Sequence, residues 1–265
     1  MTLLGFTGKS FSQLSAVAIK EMQPKVVAVF PSADTLPANL LRMYIRFSGP
    51  MKPVGNLEKI KLADENGEEV VGAIFNNAYE LWNHEQTQLT LLFDPSRVKT
   101  GLKAHKAMGR ALMKGEKYSL HIGELENVEG QNTCTFTKTF VVVEADLNPP
   151  NTASWDIQMP KAGSRAPLII RFPEGLDHLS LLQRLKLTDM ANEPFAGEVT
   201  IAKNETEWQF TPNKGWKEGD LRLHVHGRLE DPSGNNLNGL FDHKQGTLKN
   251  AHEVIIESID INIKE

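Results

Sequence analysis

The sequence has one cysteine, Cys134, in 265 residues. A single thiol makes no intramolecular disulfide and no cysteine-cluster zinc site. Long apolar runs are also missing. Nothing approaches the roughly 20 residues that a membrane helix needs, so no membrane span is expected. Charge of one sign is not in excess either, with 29 Lys+Arg against 33 Asp+Glu and a formal net charge of -4. That balance argues against a dedicated nucleic-acid binder, which carries a basic surplus. Met1–Gln23 lacks a basic region ahead of an apolar stretch and lacks an Ala-x-Ala cleavage site, so no signal peptide is read. On that reading the chain is cytosolic, or it starts downstream of a removed leader.

Catalytic signatures are missing as well. Gly8-Lys9-Ser10 mimics the end of a phosphate loop, but the upstream glycine position holds Leu3. There is no Gly-x-Ser-x-Gly elbow. His84-Glu85 suggests a zinc-protease helix, yet the second histidine that motif requires is replaced by Gln88. Cys134, in Thr133-Cys134-Thr135-Phe136, reads as a buried structural thiol in a strand rather than a nucleophile. Asn204-Glu205-Thr206 is a glycosylation sequon, meaningful only in a eukaryotic secretory setting. No cofactor is implied.

What is present is a repeat. Tyr44-Ile45-Arg46-Phe47 resembles Ile169-Ile170-Arg171-Phe172, and Lys59-Ile60-Lys61-Leu62 resembles Arg184-Leu185-Lys186-Leu187. Leu91-Leu92-Phe93-Asp94-Pro95 answers Trp208-Gln209-Phe210-Thr211-Pro212, and Lys114–Ile122 answers Glu218–Val225. Four matched blocks in one order read as a duplicated domain. Ile60 and Leu62 alternate with Lys59 and Lys61, as Leu221, Leu223 and Val225 do with Arg222, His224 and His226. Period two marks strands, and the turn residues at Glu65-Asn66-Gly67 and Asn192-Glu193-Pro194 end them.

About seven short strands per half predict an all-β chain of two tandem Ig-like β-sandwiches. Residues 24–147 would form the first domain and 148–265 the second, because Pro149-Pro150 cannot continue a ladder. Residues 1–23 stand apart, as a separate segment or the end of a preceding module. Phe140–Val143 and Val254–Ile263 are the expected last strands. The cores should hold Ile45, Phe47, Ile60, Leu62, Leu91, Phe93, Tyr118 and Leu120, then Ile170, Phe172, Leu185, Leu187, Trp208, Phe210, Leu221 and Leu223.

Phe47-Ser48-Gly49-Pro50-Met51, Asp64–Gly67, Phe93-Asp94-Pro95 and Gly115–Tyr118, with Phe172–Asp177, Phe210-Thr211-Pro212, Gly219–Leu221 and Asp231–Asn235 in the second copy, carry a resemblance. The chain resembles the bacterial Ig-like domains of S-layer and other cell-surface proteins, over about residues 24–145 and 152–242. The resemblance implies a periplasmic or extracellular setting and a non-catalytic spacing, adhesive or ligand-binding role, with other envelope proteins as partners. It implies no catalytic residues.

The first copy is longer than the second in two places, between Gly72 and Leu91 and between Pro95 and Gly115. Loop insertions are where such folds gain function. The second insertion carries Arg97, Lys99, Lys103, Lys106 and Arg110, a local positive patch able to attract an anionic glycan or an acidic protein partner. A solvated loop or short surface helix fits the same residues. The first insertion carries Glu80 and Trp82, which suit a sugar or peptide groove, though Trp82 equally suits a cap on the core. If the insertions converge, Glu80 and Trp82 lie beside Asp94, Arg97, Lys99 and Arg110. The competing reading is a hydrolase of an anionic glycan or phosphoester, with Glu80 and Asp94 as paired acids. His224-x-His226 places two rings on one strand face, a weak metal candidate without a third ligand. Asp231-Pro232-Ser233-Gly234-Asn235 spaces oxygen ligands closely but lacks EF-hand order, so an Asp-initiated turn explains it without calcium.

Overall fold

A computed structural model of the chain describes residues 23–76, 79–100, 103–242 and 256–265. The expected N-terminal segment, up to the residue before Gln23, therefore lies outside the described residues, as do the first residues of the expected last strand. The chain is mostly β. In the first half, β1 (Val26–Phe30), β3 (Arg42–Phe47), β5 (Leu81–Trp82) and β6 (Gln88–Leu92) form one sheet in the order β1-β3-β6-β5. A second sheet is ordered β2-β8-β7-β4, from β2 (Thr35–Pro37), β4 (Ile60–Ala63), β7 (Lys117–Ile122) and β8 (Phe136–Val143). β2 runs parallel to β8, and the other pairs in these two sheets are antiparallel.

The second half repeats the order. β9 (Asp156–Gln158), β10 (Leu168–Arg171), β12 (Gly197–Ala202) and β13 (Glu207–Pro212) form the sheet β12-β13-β10-β9. β11 (Leu185–Asp189), β14 (Gly219–His226) and β15 (Ile256–Ile263) form β11-β14-β15. The matched sequence blocks fall on β3 and β10, β4 and β11, β6 and β13, and β7 and β14.

Alternation decides which face is buried. On β7, Tyr118, Leu120 and Ile122 turn inward while Lys117 and His121 are exposed, and β14 buries Leu221, Leu223 and Val225 in the same way. Facing sheets in the first half share one apolar cluster that includes Ile45, Leu62, Leu89, Leu120 and Phe140. In the second half the shared cluster includes Leu168, Ile170, Trp208, Leu223 and Ile261. Every core residue expected from the alternation is buried. Two sheets packed over a common apolar layer are the sandwich solution to burying one face of each.

Among the described residues helices appear only in connections. α1 (Pro95–Val98) and α2 (Lys103–Met108) fill the longer insertion, and α3 (His178–Arg184) joins β10 to β11. Asp177 caps α3, its Oδ1 accepting the Ser180 N–H at 2.8 Å. No helix of the described residues is long and apolar enough to cross a membrane.

Candidate functional site

The residues singled out from the sequence do not form one site. Trp82 pairs with Leu89 at the start of β6, whereas Leu92 at its end pairs with Arg42. Leu81 pairs with Thr90 in the middle of β6, and Asp94 follows the end of that strand. Among the described residues no hydrogen bond or ion pair joins Glu80 or Trp82 to Asp94, Arg97, Lys99 or Arg110.

Each of these side chains has an internal task. Trp82 tilts against Phe47 with ring centroids 5.5 Å apart, and its Nε1–H donates to Glu80 Oε2 at 2.9 Å. The Glu80 carboxylate also accepts from the Asn56 N–H, the Asn56 amide and the Leu57 N–H. Burial pulls its pKa upward, but the donors from Asn56, Trp82 and Leu57 outweigh it and hold the carboxyl below its ordinary value. Asp94 caps α1 by accepting the Ser96 N–H.

Arg97 is buried rather than part of a surface patch. Its guanidinium donates to the carbonyls of Gly109, Val71 and Arg110 at 3.2, 3.1 and 3.0 Å. It ties the two insertions together near their Val71 and Arg110 segments, and Val98, Ala111 and Leu112 close the core beneath. Lys99 lies over the Phe241 ring, 4.3 Å from its centroid. Cys134 is exposed and precedes β8, which corrects the buried-strand expectation. It sits on the loop ahead of the strand, where no facing sheet covers it.

The two histidines are likewise occupied. His224 Nε2 lies 3.0 Å from Thr188 Oγ1, and His226 Nδ1 accepts the Arg228 N–H. Among the described residues no group of three or more His, Cys, Asp or Glu could hold a metal ion.

The densest polar chemistry lies where the two halves meet, and sequence reasoning missed it. Three patches carry it. In the first, the Asp231 turn reaches across to the first half, with Asp231, Ser233 and Asn235 only 0%, 0% and 1% exposed. Asp231 Oδ1 accepts the Ser233 and Asn235 N–H groups, and Oδ2 accepts the Asn235 amide. Asn235 then donates to the Asp146 carbonyl in the linker, and buried Asn39 of the first half donates to that same carbonyl. Ser233 Oγ donates to Asn39 Oδ1, and the Leu41 N–H donates to the Pro232 carbonyl. The linker is held from both sides.

In the second patch, Tyr44 donates its hydroxyl to Asp177 Oδ2 at 2.8 Å. Arg42 ion-pairs with Glu230 and brings its Nε 3.8 Å from Asp177. Burial raises the Asp177 carboxyl despite Arg42, and it pushes Asp231 up to about 7. In the third patch, Phe30 stacks on His178 with ring centroids 3.5 Å apart, and the Ser32 N–H donates to Glu205 Oε2 at 2.8 Å. Lys203, Asn204 and Glu205 all take left-handed φ, of 51, 57 and 61°. Such a run costs backbone energy and persists where surrounding contacts hold it. Here the contacts come from both halves, Ser32 reaching Glu205 and Asn204 while Leu176, Thr206 and Glu207 hold the turn from within. Gly234 also needs its φ of 81°, and a Cβ there would meet Leu41 Cδ2 at 2.6 Å.

No protein-family model matches the chain, and no curated protein matches it. Solved structures do show likeness. CopC from Methylosinus trichosporium OB3b is 20% identical over 46% of this chain and 96% of that one, with a TM-score of 0.31. The N-terminal part of the bacterial S-layer protein SbsC is 11% identical over 96% of this chain, with a TM-score of 0.33. This chain spans 47% of that S-layer fragment. A chimeric titin Z1Z2 is 12% identical over 92% of this chain and 97% of its own, with a TM-score of 0.28. At these scores the fold has to be argued from sheet order alone.

Proposed function

We propose that the chain is a non-catalytic structural module of the bacterial cell envelope, in which two tandem Ig-like sandwiches are held at one relative orientation. The domains are residues 24–147 and 148–265. Sheet order supports the Ig-like reading. The pairing of β12-β13-β10-β9 with β11-β14-β15 is the strand order of a constant-type immunoglobulin sandwich, and the first half adds β2 beside β8. Matching blocks at matching strand positions support the duplication.

The observation that carries the structural role is the junction. Flexibly linked domains meet through small, replaceable contacts, whereas this linker carbonyl is gripped by Asn39 and Asn235 from opposite sides. Carboxylates with shifted proton affinity often mark catalysis. Asp177 and Asp231 instead spend their oxygens on a helix cap, a tyrosine and a turn, as scaffold groups do.

Spin labels on the natural Cys134 and on Met190→Cys test the reading, since both positions are exposed and lie away from the junction. A single narrow distance distribution is expected between them. A broad one, as from beads on a string, rules out the rigid module. No turnover of glycans or phosphoesters is expected. Turnover abolished by Glu80→Gln or Asp94→Asn would replace this reading with the hydrolase.

A further inference from the structure

We infer that the junction carries a groove for a linear saccharide that is neutral or positively charged. Two clefts of about 480 and 730 Å³ lie along the linker. They share Asn148, Glu174 and Leu176 in their linings, so they meet at Glu174 and form one elongated trough. Its walls come from both halves, with Leu36 and Pro37 on one side and the Lys203–Thr206 turn on the other. Two adjoining clefts of these volumes suit more than one unit of a chain.

The lining sets the chemical class. In the larger cleft half-buried Trp155 forms the aromatic wall, backed edge to face by buried Phe172 with centroids 4.9 Å apart. Asn148, Asn151, Thr152, Ser154 and Glu257 supply amides, hydroxyls and a carboxylate around it. Sugar rings present an apolar C–H face together with equatorial hydroxyls, and an aromatic wall rimmed by such groups meets both needs.

Charge narrows the class further. Glu144, Asp146, Glu174, Glu205 and Glu257 line the trough against one cation, Lys203, which is already paired with Glu207 at 2.7 Å. Glu144 pairs with Lys114, Glu205 accepts the Ser32 N–H, and Glu257 accepts from Thr152. Among the described residues no hydrogen bond or ion pair reaches Glu174. Burial, and behind it the charge of Asp146, raises the Glu174 pKa. An incoming ammonium would relieve that repulsion, and an incoming carboxylate would add to it. Anionic glycans, the ligand class suggested by the basic insertion, are the wrong sign for this trough.

The smaller cleft takes walls from both halves and exists only while the junction is closed, so that part of the groove rests on the rigid-module reading, whereas the larger cleft is lined by the second half alone. The Cys134–Met190→Cys distance reports the junction independently of sugar binding. The test titrates the full chain with tetramers of β-1,4-linked glucosamine, of N-acetylglucosamine and of galacturonate, read by calorimetry. Saturable millimolar or tighter binding is expected for the first two, with the glucosamine tetramer the tighter, and weaker or no binding for the third. Trp155→Ala should weaken both active ligands by about tenfold or more. Trp155→Phe keeps a ring for packing and should recover part of that loss. Glu174→Gln, which has no partner to lose, should weaken the glucosamine tetramer severalfold and leave the acetylated one unchanged. A narrow label distance with no binding of either tetramer overturns the saccharide groove and spares the module. Tightest binding by galacturonate, or binding indifferent to Trp155 and Glu174, overturns it as well.

Discussion

At the junction the first half presents mostly hydrogen-bond donors and the second mostly acceptors, except at the Asp231 turn, where Ser233 and Asn235 donate to Asn39 and to the Asp146 carbonyl. The donors are the Arg42 guanidinium, the Tyr44 hydroxyl and the Ser32 and Leu41 N–H groups, and they meet Glu230, Asp177, Glu205 and the Pro232 carbonyl. The apolar cores hold nothing comparable, and each is built from its own half apart from Phe241, which packs on the first core. Cores reward any well-filled apolar layer, but a buried donor is satisfied only by an acceptor at the right place. Apolar packing thus lies within each half, and the contacts between the halves are chiefly polar.

Removing a central acceptor should break the comparison most severely. Asp177→Ala strands the Tyr44 hydroxyl, leaves Arg42 with Glu230 alone, and uncaps α3. Leaving a buried hydrogen-bonding group unmatched costs about 2 kcal/mol, and a lost cap about 1 more. Urea denaturation should show a correspondingly lower midpoint, and the Cys134–Met190→Cys distance should broaden. Asp177→Asn keeps an oxygen for the cap and should lose less. An unchanged distance distribution in Asp177→Ala would place the orientation in other contacts.

Gly234→Ala attacks the same interface by shape. The added methyl must sit 2.6 Å from Leu41 Cδ2 and 3.3 Å from the Phe241 ring, on a backbone at φ 81°. Overpacking together with a left-handed alanine is worth about 2 kcal/mol of destabilisation. Gly163→Ala, at φ 78° with open space around it, isolates the backbone part and should cost about half as much.

The pH dependence should separate the junction from the Glu80 end of the first half. Asp231 titrates at about 7 in the folded chain against an ordinary 3.8. A raised acid contributes stability that is complete below its unfolded pKa and is lost as pH rises through the folded value. The slope is at most about 1.4 kcal/mol per pH unit. Asp177 is shifted in the same direction. Glu80, whose pKa is lowered, has the opposite sign and contributes stability that disappears in acid. Melting temperature should therefore fall between about pH 4 and about pH 7, and Asp231→Asn should flatten that fall. Glu80→Gln should leave it intact and soften the loss at more acid pH. A slope that survives Asp231→Asn unchanged would assign it elsewhere.

How much of this was legible follows from the range of the interactions. Strands were readable because Leu221, Leu223 and Val225 repeat a local period, and a core follows from which face repeats. The junction was not, because Tyr44 and Asp177, or Asn39 and Ser233, are distant in sequence and meet only through folding. Two local signals lie in the sequence. Asp177 before His178-Leu179-Ser180-Leu181 has the form of a helix cap, which sequence reasoning missed, and Asp231-Pro232-Ser233-Gly234-Asn235 reads as an Asp-initiated turn. Neither carries information about what it docks against. The charged insertion misled for a related reason. Arg97 looks like its neighbours in composition, and only the carbonyls of Val71, Gly109 and Arg110 distinguish a buried clamp from a solvated cation.

The smallest expected effect comes from the rim of the junction. Thr100 donates both its N–H and its hydroxyl to Asp242 Oδ2, at 3.0 and 2.7 Å, and Lys99 beside it covers Phe241. These contacts join the basic insertion to the second half, as the buried patches do. They are exposed, however, so water competes for every partner and salt screens the charge. A hydrogen bond to a charged group in such a position contributes about 1 kcal/mol or less, and an exposed cation over a ring about 0.5. Thr100→Ala should lower the urea midpoint slightly, Lys99→Ala by less, and neither should broaden the label distance. The effects should shrink further in high salt, unlike that of Asp177→Ala. If Thr100→Ala instead matches Asp177→Ala, the insertion is a principal strut of the junction, and the division between a buried polar lock and a solvated rim is wrong.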